Sequence, residues 1–149
     1  RKMAFTDVYR EPVIQMESSH IKLPDKTLHS LSKQGLANLL QNNNGLVILK
    51  FGAEWCGPCK KIEGLVYQWF AKLPEEKTQC VLIDIDDDEC FDLYATLKSK
   101  KMVNGVPTIL AYAKGNMNII PDFSVVGADT EQVNYFFEQC LAKLDTTPA

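Results

Sequence analysis

The chain has 149 residues, of which 46% are hydrophobic and 23% charged, and its formal net charge is -3. This length and composition are typical of one globular domain, and the mild acidity gives no reason to expect a nucleic-acid partner, since nucleic-acid binders carry an excess of Lys and Arg. No apolar stretch approaches the roughly 20 residues of a membrane-spanning helix, so we expect a soluble protein with no membrane contact.

Five cysteines lie at positions 56, 59, 80, 90 and 140. An odd, scattered set does not resemble the disulfide framework of a small secreted domain, so a reducing compartment, the cytoplasm, is the expected location. We expect Cys80 and Cys140 to pack in the core as free thiols. Cys90 follows a run of four acidic residues at a predicted helix start, where it is either a buried thiol or a regulatory one.

The first elements in chain order are weakly marked. Residues 1–26 are interrupted by prolines and polar residues and are predicted to be a partly disordered N-terminal extension, leaving 27–149 as the domain. Residues 27–31 could form a short edge strand. Ser32 is a plausible N-cap for a helix that ends in the Asn-rich segment 42–45.

The remaining elements alternate between apolar runs typical of buried strands and amphipathic stretches typical of helices. Strands are predicted at 46–51, 81–86, 105–112 and 123–126, and helices from 56 to about 73, from about 91 to 97, and from a cap at Asp129 or Thr130 to 141. This order predicts an α/β protein with a central mixed β-sheet flanked by helices on both faces.

The two closest cysteines, Cys56 and Cys59, begin a predicted helix directly after a strand. A helix N-terminus lowers a thiol pKa through its partial positive charge, and Pro58 suits the first helical turn. Cys56, nearer the surface, would attack a disulfide, and Cys59 would resolve the mixed disulfide. The alternative, half of a zinc site, needs two further ligands among Cys80, Cys90, Cys140, His20 and His29. None of these has a zinc-site spacing, so no metal is expected.

The run Trp55-Cys56-Gly57-Pro58-Cys59-Lys60, preceded by Phe51-Gly52-Ala53-Glu54, resembles the active-site sequence of the thioredoxin family. The segments 105–108 and 126–128 resemble that family's cis-proline loop and the segment closing its substrate groove. The resemblance implies a thioredoxin fold from about residue 27 to 144. It also implies Cys56 as nucleophile, Cys59 as resolving thiol, and Trp55 beside them. Finally, it implies a cis Pro107 and a substrate groove formed by Val106, Pro107 and Gly127.

The resemblance also implies an activity. Gly57 and Pro58 are similar to the residues of the reducing family members, whose potential is about -270 mV. The expected function is a protein disulfide reductase, an electron donor to disulfide-containing proteins. With no Gly-rich nucleotide motif and no cofactor of its own, it would depend on a separate thioredoxin reductase-like donor. The alternative is a binding or assembly subunit on the same scaffold, whose redox activity is incidental.

Lys50 departs from the family pattern, because most thioredoxins carry a buried Asp six residues before the nucleophile. A neutral Lys50 could accept the proton of Cys59, or a charged one could stabilise its thiolate, which makes Lys50 a proton-transfer candidate. In the other interpretation the long side chain extends to the surface and takes no part, and the cost of burying a charge favours this second interpretation. Asp84 or Asp86 could be a partner of Lys50.

Overall fold

A computed structural model describes residues 20–146 of the chain, most of it in one mixed sheet and its flanking helices. The strands are β1 (Leu46–Gly52), β2 (Thr78–Asp84), β3 (Thr108–Ala113) and β4 (Phe123–Val126). They are arranged in the order β2-β1-β3-β4. The helices are α1 (Lys33–Gln41), α2 (Gly57–Lys72), α3 (Phe91–Ser99) and α4 (Thr130–Thr146), with short 3-10 turns at Glu75–Lys77 and Asp88–Cys90.

Strand β1 is the centre of the sheet and is buried along its whole length. It pairs in parallel with β2 and antiparallel with β3, and β4 continues the sheet antiparallel beyond β3. A strand with helices on both faces needs apolar residues at successive positions, which is why β1 is a continuous apolar run apart from Lys50. The predicted mixed sheet is confirmed.

Two apolar clusters, one on each face of the sheet, form the core. Leu46 and Ile48 pack with residues of α2 and α4, whereas Val47 and Leu49 pack with residues of α1 and α3. Successive strand residues point to opposite faces, so β1 divides its side chains between the two clusters. Helices therefore cover both faces, as predicted.

The structure differs from the sequence-based expectations for three of the predicted strands. Residues 27–31 contain only an isolated bridge between Leu28 and Val81, because a turn precedes Leu28 and the cap of α1 follows soon after. Strand β2 covers 78–84 rather than 81–86, since the Asp84 side chain accepts a hydrogen bond from the Asp86 N–H at 2.9 Å and turns the chain. Strand β3 begins only at Thr108.

The predicted helix caps are confirmed. The Ser32 hydroxyl accepts the Gly35 N–H at 2.9 Å at the start of α1. Of the two candidates before α4, Asp129 is the cap: its carboxylate accepts the N–H groups of Glu131 and Gln132 at 2.9 and 3.2 Å. Each cap satisfies backbone donors that have no partner within the helix. Within residues 20–146, no helix has the length and apolar character to cross a membrane.

Phe137 is the aromatic centre of the cluster under α2 and α4, and its removal should be costly. It is fully buried, stacks on Trp69 with ring centroids 5.3 Å apart, and meets Phe70 and Phe136 edge-on. We expect Phe137→Ala to lower the free energy of unfolding by about 3–5 kcal/mol, because it loses transfer energy and leaves a cavity. Urea unfolding measures this loss. Tyr135→Ala is the matched control: Tyr135 lies on the same helix but is 63% exposed, and a cost comparable to that of Phe137→Ala would contradict the assignment of this core.

Candidate active site

Cys56 and Cys59 form a disulfide at the start of α2, with their Cα atoms 5.3 Å apart. Cys56 is the N-cap, in extended conformation, and its Sγ accepts the Cys59 N–H at 3.1 Å. Pro58 lies in the first turn, where no N–H is needed. The Cys56 sulfur therefore lies at the N-terminus of α2, where the helix carries partial positive charge and a free backbone N–H.

Exposure does not separate the two cysteines as expected from the sequence. In the oxidised pair Cys56 is 2% and Cys59 4% exposed, so Cys56 does not lie nearer the surface. The two residues differ instead in their neighbours. The Cys56 sulfur accepts a backbone N–H, whereas Cys59 borders a cleft that Lys50 also lines. Position on the helix and contact with this cleft distinguish the surroundings of the two cysteines.

Trp55 stands beside the disulfide and is 68% exposed. Its indole Nε1 donates a hydrogen bond to Asp86 Oδ2 at 2.8 Å, which holds the ring against the turn that follows strand β2. An exposed aromatic ring held by a hydrogen bond offers apolar contact area with little loss of side-chain entropy on binding. The sequence had suggested Asp86 only as a partner for Lys50, and its bond to Trp55 is a different role.

The Val106–Pro107 peptide bond is cis, as the family resemblance implied. Pro107 comes just before the Phe51–Thr108 pair of β1 and β3, at the end of the sheet where α2 begins. The Gly127 N–H donates to the Pro107 carbonyl at 2.9 Å, and Gly127 has a φ of +94°, a conformation that glycine adopts without strain. Val106, Pro107 and Gly127 therefore form one hydrogen-bonded corner at the disulfide end of the sheet.

Lys50 does not reach into solvent, as the favoured interpretation of the sequence required. Its side chain is only 7% exposed and lines a cleft of about 740 Å³ next to Cys59. Burial lowers the pKa of Lys50, while the charge of Glu63 opposes this shift. The Lys50 amine therefore lies in a cleft that Cys59 also lines, and burial makes its ammonium easier to deprotonate than an exposed one.

The sequence analysis did not identify two residues that line this cleft, Glu63 and Tyr67. The Tyr67 hydroxyl donates to Glu63 Oε2 at 3.4 Å, and both side chains are half-buried on α2. Asp84 lines the same cleft, but Glu63 is the carboxylate whose charge raises the pKa of Lys50. The spacing 59, 63, 67 was a usable signal, since residues four apart share one helix face.

The other three cysteines are buried thiols away from this chemistry. Burial raises the pKa of both Cys80 and Cys140 to about 12, so both remain protonated near neutral pH. Cys90 is fully buried, with Ser30 Oγ 3.6 Å and Asp87 Oδ2 3.8 Å from its sulfur. Across residues 20–146, His, Cys, Asp and Glu side chains form no group of three or more able to hold a metal ion.

Comparisons with known proteins agree with this arrangement. The thioredoxin family model matches residues 27–139. The thioredoxin of Oryctolagus cuniculus is 32% identical over 111 residues, which are 74% of this chain and 94% of the relative. Among solved structures, a thioredoxin of Halobacterium salinarum has a TM-score of 0.60 at 25% identity, covering 85% of this chain and 98% of that one. The thioredoxin pre-protein of Schistosoma mansoni has a TM-score of 0.59 at 28% identity, covering 77% and 98%.

Proposed function

Because this chain belongs to the thioredoxin family, we propose that it is a protein disulfide reductase in which Cys56 attacks and Cys59 resolves. Family membership and a disulfide-capable cysteine pair support an oxidoreductase. The observation that supports these two roles is the Cys56–Cys59 disulfide at the start of α2, where the Cys56 sulfur accepts the Cys59 N–H.

In the first step the Cys56 thiolate attacks one sulfur of a substrate disulfide. A bond forms between Cys56 Sγ and that sulfur, the substrate S–S bond breaks, and the second substrate sulfur leaves as a thiolate. The helix N-terminus and the Cys59 N–H support this step, since they stabilise negative charge on Cys56 Sγ in the resting reduced protein.

In the second step Cys59 releases the substrate. Its thiol must first lose a proton, and we propose Lys50 as the acceptor because its amine is buried beside Cys59. The Cys59 thiolate then attacks Cys56 Sγ, the mixed disulfide breaks, and the remaining substrate sulfur leaves as a thiolate that is protonated. The substrate gains two electrons, and the Cys56–Cys59 pair ends as a disulfide.

The substrate would bind as an extended segment across the corner beside the disulfide. Val106 is half-buried before the cis peptide bond, and Gly127 completes the corner, whereas Trp55 is exposed beside the disulfide on the side of Asp86. The backbone of Val106 would pair with substrate backbone, which gives affinity without demanding a particular sequence. Exposed disulfides of other proteins are the proposed substrates.

Re-reduction of the pair would come from a separate thioredoxin reductase-like donor. The proposed location is the cytoplasm, and the three buried free thiols support a reducing compartment.

The test is the equilibrium potential of the Cys56/Cys59 pair together with the rate of insulin-disulfide reduction. We expect a potential near the family's value of about -270 mV, because Gly57 and Pro58 separate the cysteines as in its reducing members, and we expect sustained turnover. A potential near -180 mV would indicate an isomerase instead. A reducing potential without turnover would contradict the reductase and favour a binding subunit.

A further inference from the structure

Glu63 is a partly buried carboxylate next to the cysteine pair, and the steps described above give it no role. We propose that Glu63 is a positioning residue: it holds Lys50 beside Cys59 and sets the pH at which Lys50 accepts the Cys59 proton. This proposal rests on the proposed reductase function and specifies how its second step is controlled.

The geometry of two elements brings these groups together. Lys50 follows Leu46 and Ile48 in the alternation of β1, so it points to the sheet face that α2 covers. On α2, Cys59, Glu63 and Tyr67 succeed one another at intervals of four residues and line one cleft. The amine, the thiol and the carboxylate therefore line one cleft between β1 and α2.

The Lys50 amine and the Cys59 sulfur both lie close to Gly52. A methyl group built on Gly52 would lie 3.2 Å from Lys50 Nζ and 3.5 Å from Cys59 Sγ. Both atoms thus lie near the position that a side chain on residue 52 would occupy, and Gly52 leaves the space between them open. The amine is within reach of the thiol proton directly or through one water molecule.

Glu63 supplies the negative charge that a buried ammonium requires. Tyr67 donates to its Oε2 at 3.4 Å, and burial followed by the Glu63 charge raises the pKa of Tyr67, so the phenol remains a donor. One carboxylate oxygen is thereby oriented by Tyr67, and the charge of the group acts on Lys50. Without Glu63, proton transfer to Lys50 would create a buried ammonium that lacks the one carboxylate charge seen to act against the effect of its burial.

Other titratable groups share the cleft and must be considered in any pH profile. They are His29, Glu54, Lys60, Tyr67, Asp84 and Asp87, besides Lys50, Cys59 and Glu63. Glu54 and Lys60 are exposed, so the cleft connects the buried amine with solvent. A proton taken from Cys59 by Lys50 can return to the departing substrate thiolate or leave along this cleft, which restores the neutral amine for the next cycle.

The experiment uses the pre-reduced full chain and a nitro-aromatic disulfide whose two halves are coloured thiolates when released. The first half leaves when Cys56 attacks, and the second leaves when Cys59 resolves, so one stopped-flow trace separates the two steps. We expect the resolution rate of the wild type to rise with pH to a plateau. In Glu63→Gln the rising limb should move to lower pH by about one unit, because loss of the neighbouring negative charge makes the ammonium easier to deprotonate.

The plateau of Glu63→Gln should fall roughly threefold, since the amine becomes a weaker base, while the attack phase keeps the wild-type rate. Glu63→Asp keeps the charge on a shorter side chain, so the rising limb of its pH profile should stay near the wild-type position. It serves as the second variant if Glu63→Gln disturbs folding. Glu76→Gln makes the same chemical change at an exposed residue near Asn44, at the opposite end of the sheet, and should leave both phases unchanged.

The outcomes separate the two proposals. If the wild type shows no attack phase, the reductase function itself is wrong. If the wild type shows both phases and the limb of Glu63→Gln coincides with it, the positioning role of Glu63 is overturned while the reductase stands. A fall in the plateau without a shift of the limb would also overturn it, because that is what a merely structural disturbance produces.

Discussion

Cys56→Ser should lower the rate of insulin-disulfide reduction at least about a thousandfold, whereas Cys59→Ser should stop after its first step and accumulate a mixed disulfide. A serine hydroxyl does not attack disulfides near neutral pH, so without Cys56 no covalent intermediate forms. Without Cys59 the attack still proceeds, but no second thiol is placed to release the substrate. The two variants should therefore fail in different ways.

Intact-mass measurement after mixing with a peptide disulfide distinguishes the two cases. Cys59→Ser should carry one peptide half per chain, which a strong dithiol reductant removes, and Cys56→Ser should carry none. Cys140→Ala is the matched control, since the Cys140 thiol is buried with its pKa raised to about 12 and should not take part. Accumulation of the adduct on Cys56→Ser rather than on Cys59→Ser would mean that the roles of the two cysteines are reversed.

Lys50→Met should slow the resolution of the mixed disulfide about a hundredfold while the attack by Cys56 keeps its rate. This is the low end of what a positioned general base contributes. Met fills a similar volume in the cleft and accepts no proton, so the chemical change is confined to the amine. The stopped-flow trace that separates attack from resolution also measures this effect.

Lys50→Arg distinguishes a proton acceptor from a fixed positive charge. A guanidinium stays protonated, so it can stabilise a thiolate but cannot act as a base, and we expect resolution nearly as slow as in Lys50→Met. Full speed in the Arg variant would show that the charge is sufficient, and full speed in both would show that Lys50 takes no part. Lys61→Met, at an exposed position of the same helix, is the control and should match the wild type.

Most of the fold could be predicted because its signals are local. The continuous apolar run of β1, the helical spacing in α2 and the capping residues Ser32 and Asp129 each depend on neighbours within a few positions. The strand boundaries were less accurate. Strand β2 begins at Thr78 because it pairs with Leu46, and that pairing is determined by the partner strand rather than by the apolar pattern of β2 itself.

The cis bond before Pro107 was predicted through the family resemblance rather than through local preference, which favours trans. The opposite happened at Lys50, where general physical reasoning favoured an exposed side chain and the structure buries it. Burial of an amine is costly in isolation, and that estimate took no account of Glu63 on α2. The proximity of a strand residue to a helix residue leaves little trace in a single sequence.

By itself the sequence therefore determined the α/β class and the cysteine pair at a helix N-terminus, since both depend on residues that are close together in the chain, and the cis-proline loop followed from the family resemblance. Only the tertiary structure decided the surroundings of the pair: the similar burial of Cys56 and Cys59, the Trp55–Asp86 hydrogen bond, and the cleft that Lys50 and Glu63 both line. The physical reason is that pKa and burial depend on which groups lie within a few ångströms. In this protein those groups come from different elements, brought together by the packing of α2 on β1.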